Sequence, residues 1–544
     1  MDHAEMAEKP ENSLSVEEVG AECKAGAEQK GGTAADESEM QRMGKAQELR
    51  VAILGFVSLL QATWESTLFA TYDGLFNGGT AGVIWCTIAV WILMTCTIAS
   101  LAEMASMAPT AGGQYHWVSE FAPPSWQGAL SYVVGWCCCL GWIAGVPSCC
   151  MQLAGVVQAM VELVYPNANI QQNWQLTMLV FVFVFLTVGF NVFFARHLPL
   201  AEGIILFLHV FAFFAFMLTL WILPVAHASP ADVFTTFKIS VGKYLIANSD
   251  GGGWDSIGLS CLVGLTTPIW CFIGPDAGAH MSEELKDASV QLPRAMMWAI
   301  LANGVCGVAM LITYCFCITD LQDLLSSTSQ YPIVNVLYSA TNSYAATCIL
   351  GSVLVILLYF STVTTVASSS RQIWAFSRDQ GFPFSVWIRF VPVSWEIPLN
   401  ALLVCLVVSI ILSLINFGST TAFTAVTSVS NAALLFSYII SIGCLRLKRY
   451  RGEPLLPRRW SLGRWGTIIN DISLAWLLVG FAFSFFPLTP YFSGNDPLTG
   501  QSWWEESCNY AIFMFAMVCL LAMGYYVAGG KKKYVPPVRL VRDD

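Results

Sequence analysis

Two clusters of polar and aromatic residues interrupt membrane-length apolar sequence in this chain: Thr63-Trp64-Glu65-Ser66 within residues 51–76, and Trp270, Phe272, Gly274 and Asp276 within 256–284. Their types suit a charged amine. The Glu65 and Asp276 carboxylates can pair with an ammonium group or exchange a proton, and the Trp64 and Trp270 indole faces attract a cation by about 0.5–2 kcal/mol. Thr267-Pro268 and Gly274-Pro275 break helix and free backbone. Carbonyls ending one half-helix suit an ammonium group, and amides opening the next suit a carboxylate, so a zwitterion fits both. Polar, irregular backbone survives at membrane depth only inside protein or against a water-filled cavity. Interruptions at corresponding points of two halves point to a substrate site near the bilayer midplane.

The elements that must hold these clusters are transmembrane helices. Hydrophobic residues make up 56% of the 544 and charged residues only 11%, well below the roughly 25% of soluble domains. Segments near the roughly 20 residues needed to span occur at 51–76, 82–107, 126–161, 174–195, 203–226 and 256–284. Six more lie at 295–319, 333–370, 397–417, 418–445, 470–490 and 507–529, giving twelve spans. With the amino terminus inside, 24 of the 26 Lys and Arg fall in the tails and cytoplasmic loops, and only Lys238 and Lys243 outside. A miscounted span scrambles that pattern, so both termini are expected in the cytoplasm.

The net charge of -10 comes largely from residues 1–50, which carry 12 acidic and 6 basic side chains. This stretch reads as a disordered acidic tail without a cleavable signal peptide. At the other end, 531–544 reads as a basic cytoplasmic tail in which Lys531-Lys532-Lys533 touches anionic lipid. Between them the expected units are 51–230, 231–445 and 446–530. Cys137, Cys138, Cys139, Cys149 and Cys150 lie in one apolar span without zinc spacing and read as small core residues. No metal, cofactor or nucleic-acid partner is expected.

Glu65 and Asp276 are the acids this reading places well inside the membrane, which makes each a functional candidate. Glu65 sits beside the substrate amine, carries a coupled proton, or caps a half-helix. Asp276, following Gly274-Pro275, either caps the second half-helix or takes the substrate or proton role. His209, alone in the fifth span, can exchange a proton at working pH. Thr364 and Thr365 in the eighth span are hydroxyl candidates for an ion site, or small residues that pack helices closely. Glu103, Glu283, Glu284 and Arg371 sit at span ends, as an inner gate of ion pairs or as interface anchors.

Three runs carry a resemblance. Glu103-Met104-Ala105-Ser106-Met107-Ala108-Pro109-Thr110-Ala111-Gly112-Gly113-Gln114-Tyr115-His116-Trp117 resembles the second-span exit of permeases of the amino acid-polyamine-organocation superfamily. Gly274-Pro275-Asp276-Ala277-Gly278-Ala279-His280-Met281-Ser282-Glu283-Glu284, with Leu292-Pro293-Arg294-Ala295, is similar to its sixth-span signature. Ala367-Ser368-Ser369-Ser370-Arg371-Gln372-Ile373-Trp374-Ala375-Phe376-Ser377-Arg378-Asp379 is similar to the eighth-span exit of the fungal branch that takes up GABA, choline and related amines. The resemblance covers roughly 45–530 and implies an all-α membrane protein. It implies five plus five helices in inverted repeat, with discontinuous helices 1 and 6 and two helices added, driven by protons at the plasma membrane. The family unwinds its first span at a Gly-x-Gly step, and counting back from Asn77-Gly78-Gly79 puts Trp64-Glu65-Ser66 there, without the glycines.

The function expected is a secondary transporter, not an enzyme, for amino acids or small amines such as GABA or choline, coupled to H+ and working by alternating access. Export of an amine-containing metabolite and a non-transporting nutrient receptor remain alternatives. No nucleophile, base and metal converge on one membrane face, which argues against catalysis.

Overall fold

The computed structural model describes residues 34–43, 61–170, 172–237, 254–326, 331–392, 395–418, 422–490, 502–506 and 508–538. Helices dominate, because a peptide group in lipid must find its partner within its own segment. In chain order the principal helices are α1 (Ala34–Arg42), α2 (Thr63–Phe69), α3 (Thr71–Met107), α4 (Gln114–Phe121), α5 (Gln127–Val164) and α6 (Asn173–Phe193). There follow α7 (Leu198–Ile222), α8 (Ile257–Val263), α9 (Thr266–Phe272), α10 (Ala277–His280), α11 (Ala288–Phe316) and α12 (Pro332–Thr341). The last are α13 (Tyr344–Arg378), α14 (Leu399–Leu414), α15 (Ala422–Tyr450), α16 (Gly466–Phe483) and α17 (Ala511–Tyr525).

Ten helices among the described residues are long and apolar enough to cross a membrane, and Ile257–Phe272 adds a shorter apolar stretch. The protein is an integral membrane protein. At Gly79 the backbone takes φ 65°, ψ −168°, so α3 is two helices joined at a corner that a side chain with a β-carbon resists. The part before that corner continues the first predicted span and the part after it forms the second. Residues 51–60 of the first span, Lys238, Lys243, Arg539, Arg542 and most of the acidic tail lie outside the described residues.

Three expectations change. The eighth span was expected to begin at 333, but α12 ends at Asn342 (φ 47°) and α13 starts afresh at Tyr344. There Ser343 Oγ caps the new helix by accepting from Ala346 N at 3.3 Å. Within the tail read as disordered, Ala34–Arg42 is a docked helix. Asp36 accepts from Asp287 N and Ala288 N at 3.1 and 3.2 Å, Arg42 donates to Met107 O at 2.7 Å, and Met40 is buried. A few apolar contacts and one cap hold a segment whose composition alone is that of a free chain. Thr267-Pro268 does not break its helix, since Pro268 lies in the first turn of α9, where a missing N–H costs nothing.

The centre of the bundle is α5, packed along α13 and α15, while α11 packs along α2 and α3. Small residues set the spacing. At Gly304 on α11 a β-carbon would run into the Trp91 indole of α3, which donates to Ile300 O at 2.8 Å. At the carboxyl end, Tyr534 folds back and its hydroxyl meets Ser131 Oγ at 2.6 Å, tying the tail to the start of α5.

Candidate functional site

Irregular backbone stands beside both clusters. Before α2, Gln61 and Ala62 are non-helical, and between α9 and α10 the chain runs through Ile273, Gly274 (φ 116°) and Pro275. Trp64-Glu65-Ser66 is therefore not itself unwound: it lies in α2, with irregular backbone at Gln61-Ala62 before that helix and at Ala70 after it. Without glycine that tetrapeptide has no reason to leave the helix, and the Thr67 hydroxyl closes on Trp64 O at 2.7 Å. Thr63 is buried on α2.

Between the breaks lies a cavity of about 110 Å³. Gln61, Ala62 and Ser66 wall one side, Trp270, Cys271, Ile273, Gly274 and Ala277 another. The scaffold contributes Trp142, Cys149 and Gln152 from α5, Ser361, Thr364 and Thr365 from α13, and Ser430 from α15. Among the described residues the wall has no charged side chain. Gln61 Nε2 donates to Cys271 O at 3.4 Å and Ile273 O at 3.1 Å, linking the two breaks. Gln61 Oε1, Gln152 Oε1 and Trp142 Nε1 are buried without a hydrogen-bond partner among the described residues. Each orphan costs about 1–3 kcal/mol.

Of the predicted substrate contacts, Ser66, Trp270 and Gly274 line the cavity, as do the ion-site candidates Thr364 and Thr365, whereas Thr63, Trp64, Glu65, Phe272 and Asp276 do not. Phe272 is fully buried in the core. Asp276 stands at the N-cap position of α10 but makes no side-chain cap bond. Instead Gln114 Nε2 donates to it at 2.6 Å and the Tyr438 hydroxyl at 2.7 Å. A carboxylate with two such donors is settled, and it ties α4 and α15 to the second break.

Glu65 turns away from the cavity toward α7. Its Oε1 lies 2.7 Å from His209 Nδ1, both side chains are buried, and Trp64 Nε1 approaches the same nitrogen at 3.2 Å. Asn303 of α11 also bonds the imidazole, and Cys306 is the other titratable group nearby. Neither sequence cluster predicts this pair, because Glu65 and His209 are 144 residues apart.

Glu202, at the start of α7, escaped the sequence reading because the span boundary was set at 203. It is buried, accepts from Thr364 Oγ1 at 3.1 Å, and leaves Oε2 without a partner among the described residues. Since Thr364 lines the cavity, Glu202 is a buried acid one hydroxyl from the site.

Each of the four gate candidates is in an ion pair: the three acids meet arginines, and Arg371 is one of those arginines. Arg371 Nε donates to Glu284 at 2.8 Å, and Arg378 clamps Glu283 at 2.7 and 2.9 Å. Glu103 pairs with Arg449 and with Arg458 Nε at 3.1 Å, and accepts from Leu462 N at 3.2 Å. Arg378, Arg449 and Arg458 complete pairs of which the sequence reading named only the acids.

The amino acid permease profile matches residues 52–518, most of the chain. The chain belongs to the amino acid permease family. The permease is similar to an uncharacterized amino-acid permease of Schizosaccharomyces pombe, 29% identical over 87% of this chain and 83% of that one. It is also similar to a choline transporter of Saccharomyces cerevisiae (27%; 89% and 81%) and to the amino-acid permease BAT1 of Arabidopsis thaliana (26%; 92% and 95%). These relatives are transporters, not enzymes. The cavity of the permease lies between the start of α2 and the break joining α9 to α10.

Proposed function

We propose that the protein imports a small amino acid or related amine, such as GABA or choline, across the plasma membrane together with protons, with both termini in the cytoplasm. The observation that carries this reading is the small uncharged cavity between the start of α2 and the break joining α9 to α10, together with the buried Glu65–His209 pair of α2 and α7 that turns away from it. A cavity of about 110 Å³ suits a metabolite, since drug-sized ligands need roughly 300–1,000 Å³. Two indoles and several hydroxyls and amides supply orientation without fixed charge.

The coupling element in this proposal is Glu65 with His209. Glu65 lies on the helix that also carries Ser66 to the cavity, while His209 belongs to α7. Moving a proton on or off the pair changes whether α2 is held to α7 by a charged or a neutral bond. The ion pairs Glu284–Arg371, Glu283–Arg378 and Glu103–Arg449 then close the cytoplasmic mouth and part when solute leaves inward. The five-plus-five inverted repeat, implied by the resemblance, supplies two bundles that rock about the fixed site.

The test is uptake of labelled GABA, choline and a panel of amino acids into permease-deficient yeast expressing the chain, at acidic and neutral pH. Saturable uptake stimulated by acid is expected. Efflux of a preloaded amine instead of uptake would reverse the direction, and binding without flux either way would make the protein a receptor.

A further inference from the structure

Between α15 and α16, residues 451–462 run without regular helix and carry Arg458-Arg459-Trp460-Ser461. Arginines at the second and third positions before a serine complement the acidic groove of a basophilic protein kinase. Ser461 is exposed, and no helix has to unwind for this segment to enter such a groove in extended form. The same hydroxyl touches the gate. It donates to Glu103 Oε1 at 3.1 Å and accepts from Arg458 Nε and from Gly463 N, each at 3.1 Å. The Glu103 side chain is fully buried at the end of α3, and residues 449–462 satisfy it. Arg449 pairs with it, Arg458 Nε lies at 3.1 Å, and Leu462 N donates at 3.2 Å. Ser106, one turn further along α3, holds the same loop by accepting from Arg459 N and Trp460 N at 3.1 and 3.0 Å.

We infer that Ser461 is a phosphorylation site for a basophilic protein kinase, and that its phosphate releases the 451–462 loop from Glu103. In the transfer the Ser461 oxygen takes the γ-phosphoryl group of ATP, the bond from that phosphorus to the oxygen of departing ADP breaks, and the hydroxyl proton is released. The ester carries about −1.5 to −2 charge at pH 7 and offers acceptors only. The bond from Ser461 to Glu103 is therefore lost, and the new charge stands against a buried carboxylate. Arg458, whose Nε now serves both Ser461 and Glu103, turns to the phosphate, since charge-assisted bonds to phosphate are strong. A buried carboxylate stripped of a partner is costly, so the loop leaves the end of α3 and the Glu103–Arg449 pair loosens with it. The inference rests on the proposed orientation, which puts this loop in the cytoplasm with ATP.

The experiment treats the purified full-length protein, in detergent so that both faces are open, with Mg-ATP and the catalytic subunit of cAMP-dependent protein kinase, a basophilic enzyme. Phosphopeptide mapping is expected to find Ser461 modified almost stoichiometrically, and Ser461→Ala to lose that label. Hydrogen exchange of the 451–464 amides should then run about tenfold faster or more, because Leu462 N loses its buried acceptor. No label at Ser461, or full label with unchanged exchange, overturns the inference. In yeast, uptake by Ser461→Glu, whose carboxylate carries part of the phosphate's charge, should fall several-fold below that of Ser461→Ala. Equal uptake by these two variants overturns the link to the gate. Labelling of Ser461 by kinase added outside intact cells would contradict the proposed orientation and the cytoplasmic site together. Labelling and faster exchange in a protein that moves no solute would count against transport and leave the site standing.

Discussion

Glu65 Oε1 and His209 Nδ1 lie 2.7 Å apart, and that one ring nitrogen also receives the Trp64 indole N–H at 3.2 Å. A protonated Nδ1 donates to Glu65 and has no lone pair left to accept the Trp64 N–H. A bare Nδ1 accepts from Trp64, and Glu65 must then carry the proton to keep its own bond. The site therefore has two alternative ways to place a proton, which suits a group that loads and unloads one in each cycle.

Glu65→Gln removes the proton without removing the shape. Its amide still hydrogen-bonds a neutral imidazole, so thermal stability should fall by no more than about 1–2 kcal/mol, whereas Glu65→Ala leaves His209 without its carboxylate partner and should cost on the order of 3 kcal/mol. Uptake by Glu65→Gln should drop about tenfold or more at acid pH and lose its acid stimulation. Uptake at pH 5 and pH 7, with unfolding curves, checks this; an unchanged pH profile removes Glu65 from coupling.

Arg371 is 2% exposed, and its partner Glu284 sits where α10 gives way to α11. Arg371→Ala leaves a carboxylate without its cation and should weaken closure of the inner mouth, reducing uptake several-fold. Exchanging the charges, Arg371→Glu with Glu284→Arg, should restore part of that loss, with a coupling energy of about 1–3 kcal/mol in the double-mutant cycle. Additive single effects would leave these residues as anchors rather than a gate.

Cys149 lines the cavity and belongs to α5, the helix at the centre of the bundle. A transported solute should slow alkylation of this thiol, and Cys149→Ser should remove the protected fraction from the labelling pattern. Alkylation at the same rate with and without a saturating substrate places the binding site elsewhere.

Asp276 is held by Gln114 and Tyr438, and its contribution is expected to be structural. Tyr438→Phe deletes a buried hydrogen bond to a carboxylate and should cost about 1.5–3 kcal/mol in stability while leaving the pH dependence of uptake in place. Thermal denaturation read beside the pH profile separates the two effects; a shifted profile with stability intact would return Asp276 to the proton pathway.

Much of this architecture is legible in the sequence because lipid leaves few options. Apolar runs of span length become helices, and broken polar stretches such as Gly274-Pro275-Asp276 must face protein or water. The cavity was legible in outline, through Ser66, Trp270, Gly274, Thr364 and Thr365. Residues that sequence spacing cannot bring together were not. Glu65 with His209, and Glu103 with Arg449, are set by how α2 meets α7 and how α3 meets α15. Gln61 escaped notice because its role depends on carbonyls more than 200 positions away. Thr63-Trp64-Glu65-Ser66 was misjudged as unwound because it looks irregular in polarity but contains nothing that disfavours a helix.

The most direct measurement is solute flux in proteoliposomes of the purified protein, with the internal pH followed by a trapped dye. With an acid exterior and no other gradient, accumulation of a small amino acid accompanied by internal acidification is predicted, and both signals should be lost in Glu65→Gln. Accumulation that neither responds to the pH gradient nor moves protons would contradict proton-coupled transport through this site.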